Sequence, residues 1–268
     1  MAEVTVFHNT AELVQVKAKG WQIGFSNVFA REMERVWNPR AFSIQALAWL
    51  VILNFILALF IEVEAGSGPM TASITTFMLL SGVLVPMGAA IVSSGAIIGE
   101  KKSGTAAWVL SKPASRTGFV IAKFLAIASA FLVAAVVMQS AVAYAQLSLA
   151  NKALIPAGPY LAATFMVVLA VVFYLSLTLM LGTMFESRMP VMGIPIARVM
   201  GQIFVTGLLS GIMDWLPYIL PGNLLQLSVN IISGVPTGGF WMLTVFSALS
   251  LSALFIFLAL KRIHQYEL

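Results

Sequence analysis

The sequence predicts an all-α integral membrane protein: six transmembrane helices, an amphipathic interfacial helix before them, and a broken outer-leaflet helical segment before the last span. Three observations predict it. Of 268 residues, 60% are hydrophobic and only 9% are charged, against roughly 25% charged in an ordinary soluble domain. The mean hydropathy of +0.97 excludes a disordered chain, which needs low hydrophobicity. The apolar residues form runs near the ~20 residues with which a helix crosses ~30 Å of hydrocarbon. They do not alternate in ten-residue segments as in an outer-membrane barrel.

Residues 1–19 read as a cytoplasmic tail without the basic-then-apolar pattern of a signal peptide. Residues 20–40 read as the interfacial helix. Trp21, Phe25, Val28, Phe29, Glu32 and Val36 recur at three- and four-residue spacing, while Gln22, Ser26, Ala30, Arg31 and Glu34 lie mostly elsewhere. Such a helix is expected in the headgroup plane with its aromatic face down. Whether it does more than anchor the chain stays open. Pro39 disfavours α geometry at Asn38 and ends it. A membrane domain over 41–261 follows, with spans at about 41–61, 76–98, 121–147, 160–184, 194–213 and 241–260, and 262–268 is a second tail. Segment 214–240 is apolar but interrupted by Pro217, Pro221 and Pro236. Leu224, Leu225, Leu227, Ile231 and Ile232 suggest a short helix within it. Bare backbone cannot face lipid, so this piece must be helical or packed on protein.

Charge orients the spans. Fourteen of the fifteen Lys and Arg fall on the side of the two tails, with Lys152 alone opposite. Seven acids on the first side leave it at +7; Glu62, Glu64 and Asp214 leave the other at −2. The positive-inside rule then puts both termini in the cytoplasm. It also accounts for the net charge of +5 with a lipid bilayer as partner and no nucleic acid. There are no cysteines, and His8 and His264 both sit in tails. Thiolate chemistry, haem ligation and an imidazole relay in the membrane are therefore excluded, and no catalytic residue, metal or bound cofactor is expected. Fourteen methionines, several of them near the end of span 4, read as ordinary gap-filling residues rather than a copper site.

The most specific stretch is the cytoplasmic loop 99–118, GEKKSGTAAWVLSKPASRTG. Gly104 permits a break, Thr105 to Ser111 can form two helical turns, and Pro113 ends them. Trp108 and Leu110 give this helix an apolar grip, framed by Lys101, Lys102, Lys112 and Arg116. A groove on a partner and the membrane surface both suit that shape. Gly99 to Thr105 imitates a phosphate-binding loop, but the lysine after the second glycine is absent and no strand precedes it. It does not bind nucleotide.

At these residues the chain resembles the permease subunits of type-2 ABC exporters. One point of likeness is the aromatic helix ending in Arg31-Glu32-Met33-Glu34-Arg35. Another is the acidic residue closing span 2, followed by basic residues, Gly-Thr, an apolar helix and a Pro-x-Ser-Arg exit. Here these are Glu100, Lys101, Lys102, Gly104, Thr105, Leu110, Ser111, Pro113, Ser115 and Arg116. Lys123, one turn into span 3, also fits. Ala106 departs from the leucine common in the family and leaves the grip to Trp108 and Leu110. The likeness extends over residues 20–265 and is nearest to the permeases grouped with multicopper-enzyme maturation and small-molecule export. It implies a subunit of a prokaryotic cytoplasmic membrane, a second permease copy, and two ABC ATPase subunits that carry ATP and Mg. The loop would be the coupling element, through Glu100, Gly104, Thr105, Trp108, Leu110, Lys112, Pro113 and Arg116. Spans 1 and 5 would form a dimer seam, and spans 2 and 5 a pathway.

The composition of the spans agrees on one point. No Asp, Glu, Lys or His lies near a span centre, whereas ion-coupled carriers usually keep such a group there. Arg198, read as one turn inside span 5, is expected to snorkel to the cytoplasm. Among polar residues in spans, Asn54 and Ser94 are candidates for the pathway, and interhelical hydrogen bonding is the competing role. Gly193, Ala197 and Gly201 make a small-residue stripe suited to a seam or to internal packing. A stand-alone channel or carrier, and a non-transporting assembly factor, remain the competing functions.

The orientation is testable. Cysteines placed at Ser103 and Gln265 should label only from the cytoplasm, and one at Ser67 only from outside. Outside labelling at Ser103 would invert the topology.

Overall fold

The structure is a computed structural model that describes residues 24–65, 71–103 and 115–264. Among the described residues every regular element is helical. Helix α1 (Phe25–Val36) precedes α2 (Pro39–Glu64). Next come α3 (Thr71–Ser93) and α4 (Gly95–Ser103), which meet at Ser94. Then follow α5 (Arg116–Ala150), α6 (Ala157–Met184) and α7 (Arg188–Ser210). A 3-10 turn (Leu216–Ile219), α8 (Asn223–Ile232) and α9 (Trp241–His264) complete the chain.

Among the described residues five helices are long and apolar enough to cross a membrane: Pro39–Glu64, Thr71–Glu100, Arg116–Ala150, Ala157–Met184 and Trp241–Ile263. Each contains one predicted span and most outrun it by a few residues. The reason is capping. Asn38 accepts from the amides of Arg40 and Ala41, and Ser115 accepts from the amide of Gly118. These polar caps satisfy helix ends that hydropathy alone does not register. The predicted span 194–213 differs. Its helix starts at Arg188, behind a Ser187 cap, and bends by 48° between Arg188–Gln202 and Phe204–Ser210. It makes a sixth crossing only if the bent pair counts as one span.

Helix α6 is the hub. Its sequence from Ala157 to Met184 carries no charge, and a helix apolar all round belongs inside. Accordingly 83% of its apolar window is buried, against 22% for α9. Around it pack α3, α5, α7, α8 and α9. The proline-broken segment is both helical and packed on protein: Leu224, Leu225 and Leu227 of α8 are buried, and the Ser228 hydroxyl donates to the Ala163 carbonyl at 3.0 Å.

Two close approaches use glycine. A Cβ at Gly82 of α3 would strike the Leu225 side chain, and one at Gly88 would fall 2.6 Å from Cη2 of Trp49. Trp49 is buried edge-on against Phe131, with ring centroids 5.9 Å apart, so it cannot step aside cheaply. Gly88→Ala should therefore lower stability by about 1–3 kcal/mol, the usual range for overpacking. Thermal melting in detergent measures it, and adding Trp49→Phe should restore part of the loss.

Candidate functional site

Helix α1 runs alongside the start of α5 and is fastened to it at two levels. At one, Trp37 Nε1 donates to Ser129 Oγ at 3.3 Å, and that hydroxyl also lies 3.6 Å from Met33 Sδ. At the other lies a buried charge cluster. Lys123 of α5 has no exposed surface. Its Nζ donates to Glu32 Oε1 of α1 at 2.6 Å and to Glu100 Oε1 of α4 at 2.5 Å. The Phe119 ring lies 5.1 Å from the amine. Arg35 reaches the other Glu32 oxygen at 2.6 Å, so two cations face two carboxylates and the group is neutral. That balance is what burial requires, because an unpaired ion in a low-dielectric site is strongly disfavoured.

The cluster places the predicted coupling residues in two sets. Gly104, Thr105, Trp108, Leu110, Lys112 and Pro113 lie outside the described residues, as does Trp21. Glu100 and Arg116 flank the loop and are both described. Glu100 is held by Lys123, and Arg116 Nη1 donates to the Ile263 carbonyl in α9 at 3.3 Å. Both ends of the loop are thus tied to helices of the bundle.

The interfacial face is corrected in part. Phe25 and Phe29 stack at 5.5 Å and are half-buried, and Arg31 is exposed. Val28 and Val36, however, pack on the protein's own apolar clusters, and Glu32 turns inward to Lys123. An acid on an aromatic face is better satisfied by a buried amine than by headgroups.

Neither pathway candidate stands free. Asn54 is buried, and its Nδ2 donates to Gln139 Oε1 at 2.9 Å. Gln139 Nε2 in turn donates to the carbonyls of Ala46 at 3.1 Å and Ala134 at 2.7 Å. Both helices carry a π-helical segment here, Leu50–Phe55 in α2 and Val133–Val137 in α5. Asn54 is therefore a polar tie between α2 and α5. Ser94 is buried as well. Its hydroxyl donates to the Ile91 carbonyl at 2.7 Å and accepts from Arg188 Nε at 2.9 Å, joining the α3–α4 break to the start of α7. Gly193 and Ala197 face outward, and no side chain approaches Gly193 or Gly201. Among the described residues no side chain packs on either glycine of the stripe.

Arg198 lies about 15 Å along α7 from its start at Arg188, at 1.5 Å per residue. Its Nη1 donates to Tyr174 Oη at 3.1 Å, and its guanidinium sits 4.8 Å from the Phe173 ring centroid. Tyr174 and Gln202, which complete this group, carried no sequence signal beyond being polar residues in apolar runs.

Residues 41–267 match the model of a family described as a protein of unknown function, DUF2705. No curated protein matches the chain.

The cluster makes a specific demand. Lys123→Met leaves two carboxylates facing each other without their amine, and breaking a buried pair costs about 3–5 kcal/mol. Replacing Glu32, Glu100 and Lys123 together by methionine should be less damaging than Lys123→Met alone, because no charge is then orphaned. Melting temperatures of the two variants in detergent check the order.

Proposed function

We propose that this chain, which belongs to the DUF2705 family, is the permease subunit of a type-2 ABC exporter. In this reading two copies assemble with two ATPase subunits, which bind ATP and Mg, in a prokaryotic cytoplasmic membrane. Six spans cross it, with the bent α7 as the fifth. Both termini are cytoplasmic, and α1 lies at the inner surface with Phe25 and Phe29 toward lipid.

One observation carries the reading. Glu32, Glu100 and Lys123 belong to three separate parts of the chain that the resemblance singles out, and they meet in one buried cluster. The cluster joins α1, the end of α4 and the start of α5, and so brackets loop 104–114. A push on that loop by an ATPase would reach both helices through Lys123 rather than dissipate in a slack connection. Such a clamp has a use where force enters through the loop.

A stand-alone carrier is the second reading, favoured by the cation well inside α7. An ion-coupled carrier usually keeps an acid, lysine or histidine near a span centre, and none stands there in the predicted spans, so that reading is the weaker.

Thr105 to Ser111 should dock in a groove of the ATPase with Trp108 and Leu110 buried. Buried aromatic anchors commonly carry about 2 kcal/mol or more of an interface. Trp108→Ala should therefore weaken ATPase retention by the purified complex roughly thirtyfold, while Lys112→Ala acts mildly and mainly at low salt. Full retention by Trp108→Ala, with normal transport, would sink the assignment.

A further inference from the structure

We infer that the cavity between the end of α6 and the last turns of α9 binds one anionic phospholipid. Its phosphate would be held by Lys261 and Arg262, with an acyl chain along the outer face of α9. The cavity has a volume of about 330 Å³ and is lined by Met184 of α6 and by Leu258, Lys261 and Arg262 of α9. That is the small end of the range for ligand sites, roughly 300–1,000 Å³, and suits a head group whose tails stay outside.

The two helices account for the lining. Ala259 and Ile263 turn one face of α9 into the core, which leaves Lys261 and Arg262 exposed on another. Helix α6 stops at Met184, where Phe185 becomes extended, while α9 runs on to His264. Leu258 and Met184 give the cavity an apolar part, and the two cations give it a charged one.

Both cations lack a counter-charge. Neither makes a hydrogen bond or an ion pair among the described residues, and no described acid lines the cavity. Lys123, Arg116 and Arg188, by contrast, each donate to the protein itself. Two adjacent free cations select a phosphate, which arginine can hold through two parallel N–H bonds and lysine as a point charge. They also select net charge. The ammonium of a zwitterionic head group would bring a third cation to a site with no acid to receive it.

A lipid fits this site better than a free phosphate for two reasons. The apolar window of α9 ends at Ile263, so both cations stand where a helix of hydrocarbon length meets head groups. Phe246, Leu249, Ala253 and Phe257 are exposed and recur at three- and four-residue spacing up to Lys261. That spacing makes one continuous apolar track on the helix, along which an alkyl chain can lie.

The site stands apart from the exporter reading, which its failure would leave untouched. The test is the first lipid-binding constant of the full chain in neutral detergent, measured by native mass spectrometry. Phosphatidylglycerol should bind about fivefold or more tighter than phosphatidylcholine with the same chains. Lys261→Gln and Arg262→Gln should each weaken phosphatidylglycerol about fivefold, the worth of one cation near a charged head group, and leave phosphatidylcholine unchanged. Arg40→Gln removes an exposed cation outside the cavity and should change affinity by less than about twofold. Met184→Trp fills the apolar part, keeps both cations, and should weaken phosphatidylglycerol about two- to fivefold. All of these side chains are exposed, so melting temperatures should stay at the wild-type value. Equal affinity for the two lipids, an equal loss on Arg40→Gln, or wild-type affinity in both charge variants would overturn the proposal. So would full displacement of the lipid by equimolar glycerol phosphate, which would mark a free phosphate as the ligand.

Discussion

A lysine amine with no exposed surface has to find its counter-charges within the protein, and here they come from two other helices. Lys123 holds Glu32 of α1 and Glu100 of α4 at ordinary charged hydrogen-bond distances. The position of α1 depends on this bond and on the Trp37–Ser129 contact a few residues further along. So does the position of the chain entering loop 104–114. In water a pair of this kind contributes little, because solvent competes for both partners. In a site without solvent, separating them leaves a bare ion, which makes the three-way contact specific rather than merely favourable.

The same scarcity of water governs the interior of the bundle. Apolar surface gains little by leaving lipid for another apolar surface, so close packing and internal hydrogen bonds must hold the helices together. Asn54 and Gln139 link α2 to α5 at two π-helical segments, where widened turns free backbone carbonyls for side chains to use. Gly88 and Gly82 admit Trp49 and Leu225 at distances any side chain would block. Polar ties and small residues thus do the work that water exclusion does in a soluble core.

Not every polar group inside the bundle is closed in this way. Ser228 and Ser94 face partners in Ala163 and Arg188, whereas Gln45 Nε2, Asn54 Oδ1, Ser81 Oγ and Gln202 Nε2 have no hydrogen-bond partner among the described residues. Arg198, Tyr174 and Gln202 form an open chain that ends on a donor.

Much of this protein was legible in the sequence alone. Runs of uncharged apolar residues determine that it is helical and membrane-embedded, and they locate five of the helices to within a few residues. Proline spacing marked 214–240 as interrupted, and the leucine spacing marked the helix inside it. Glu32 stood on the aromatic face of the first helix, and the resemblance singled out Glu100 and Lys123. Their meeting was not legible, because an ion pair between residues 91 positions apart in the chain leaves no periodic trace. The start of the helix that carries Arg198 was missed for a related reason. Hydropathy placed the start of its span at 194, whereas the helix begins at the Ser187 cap, and capping is a local hydrogen-bond effect that an apolar average does not see. Tertiary structure alone decided which polar residues in the spans are satisfied, since satisfaction depends on what faces a side chain across a helix interface. That choice tied Asn54 to Gln139 and Ser94 to Arg188.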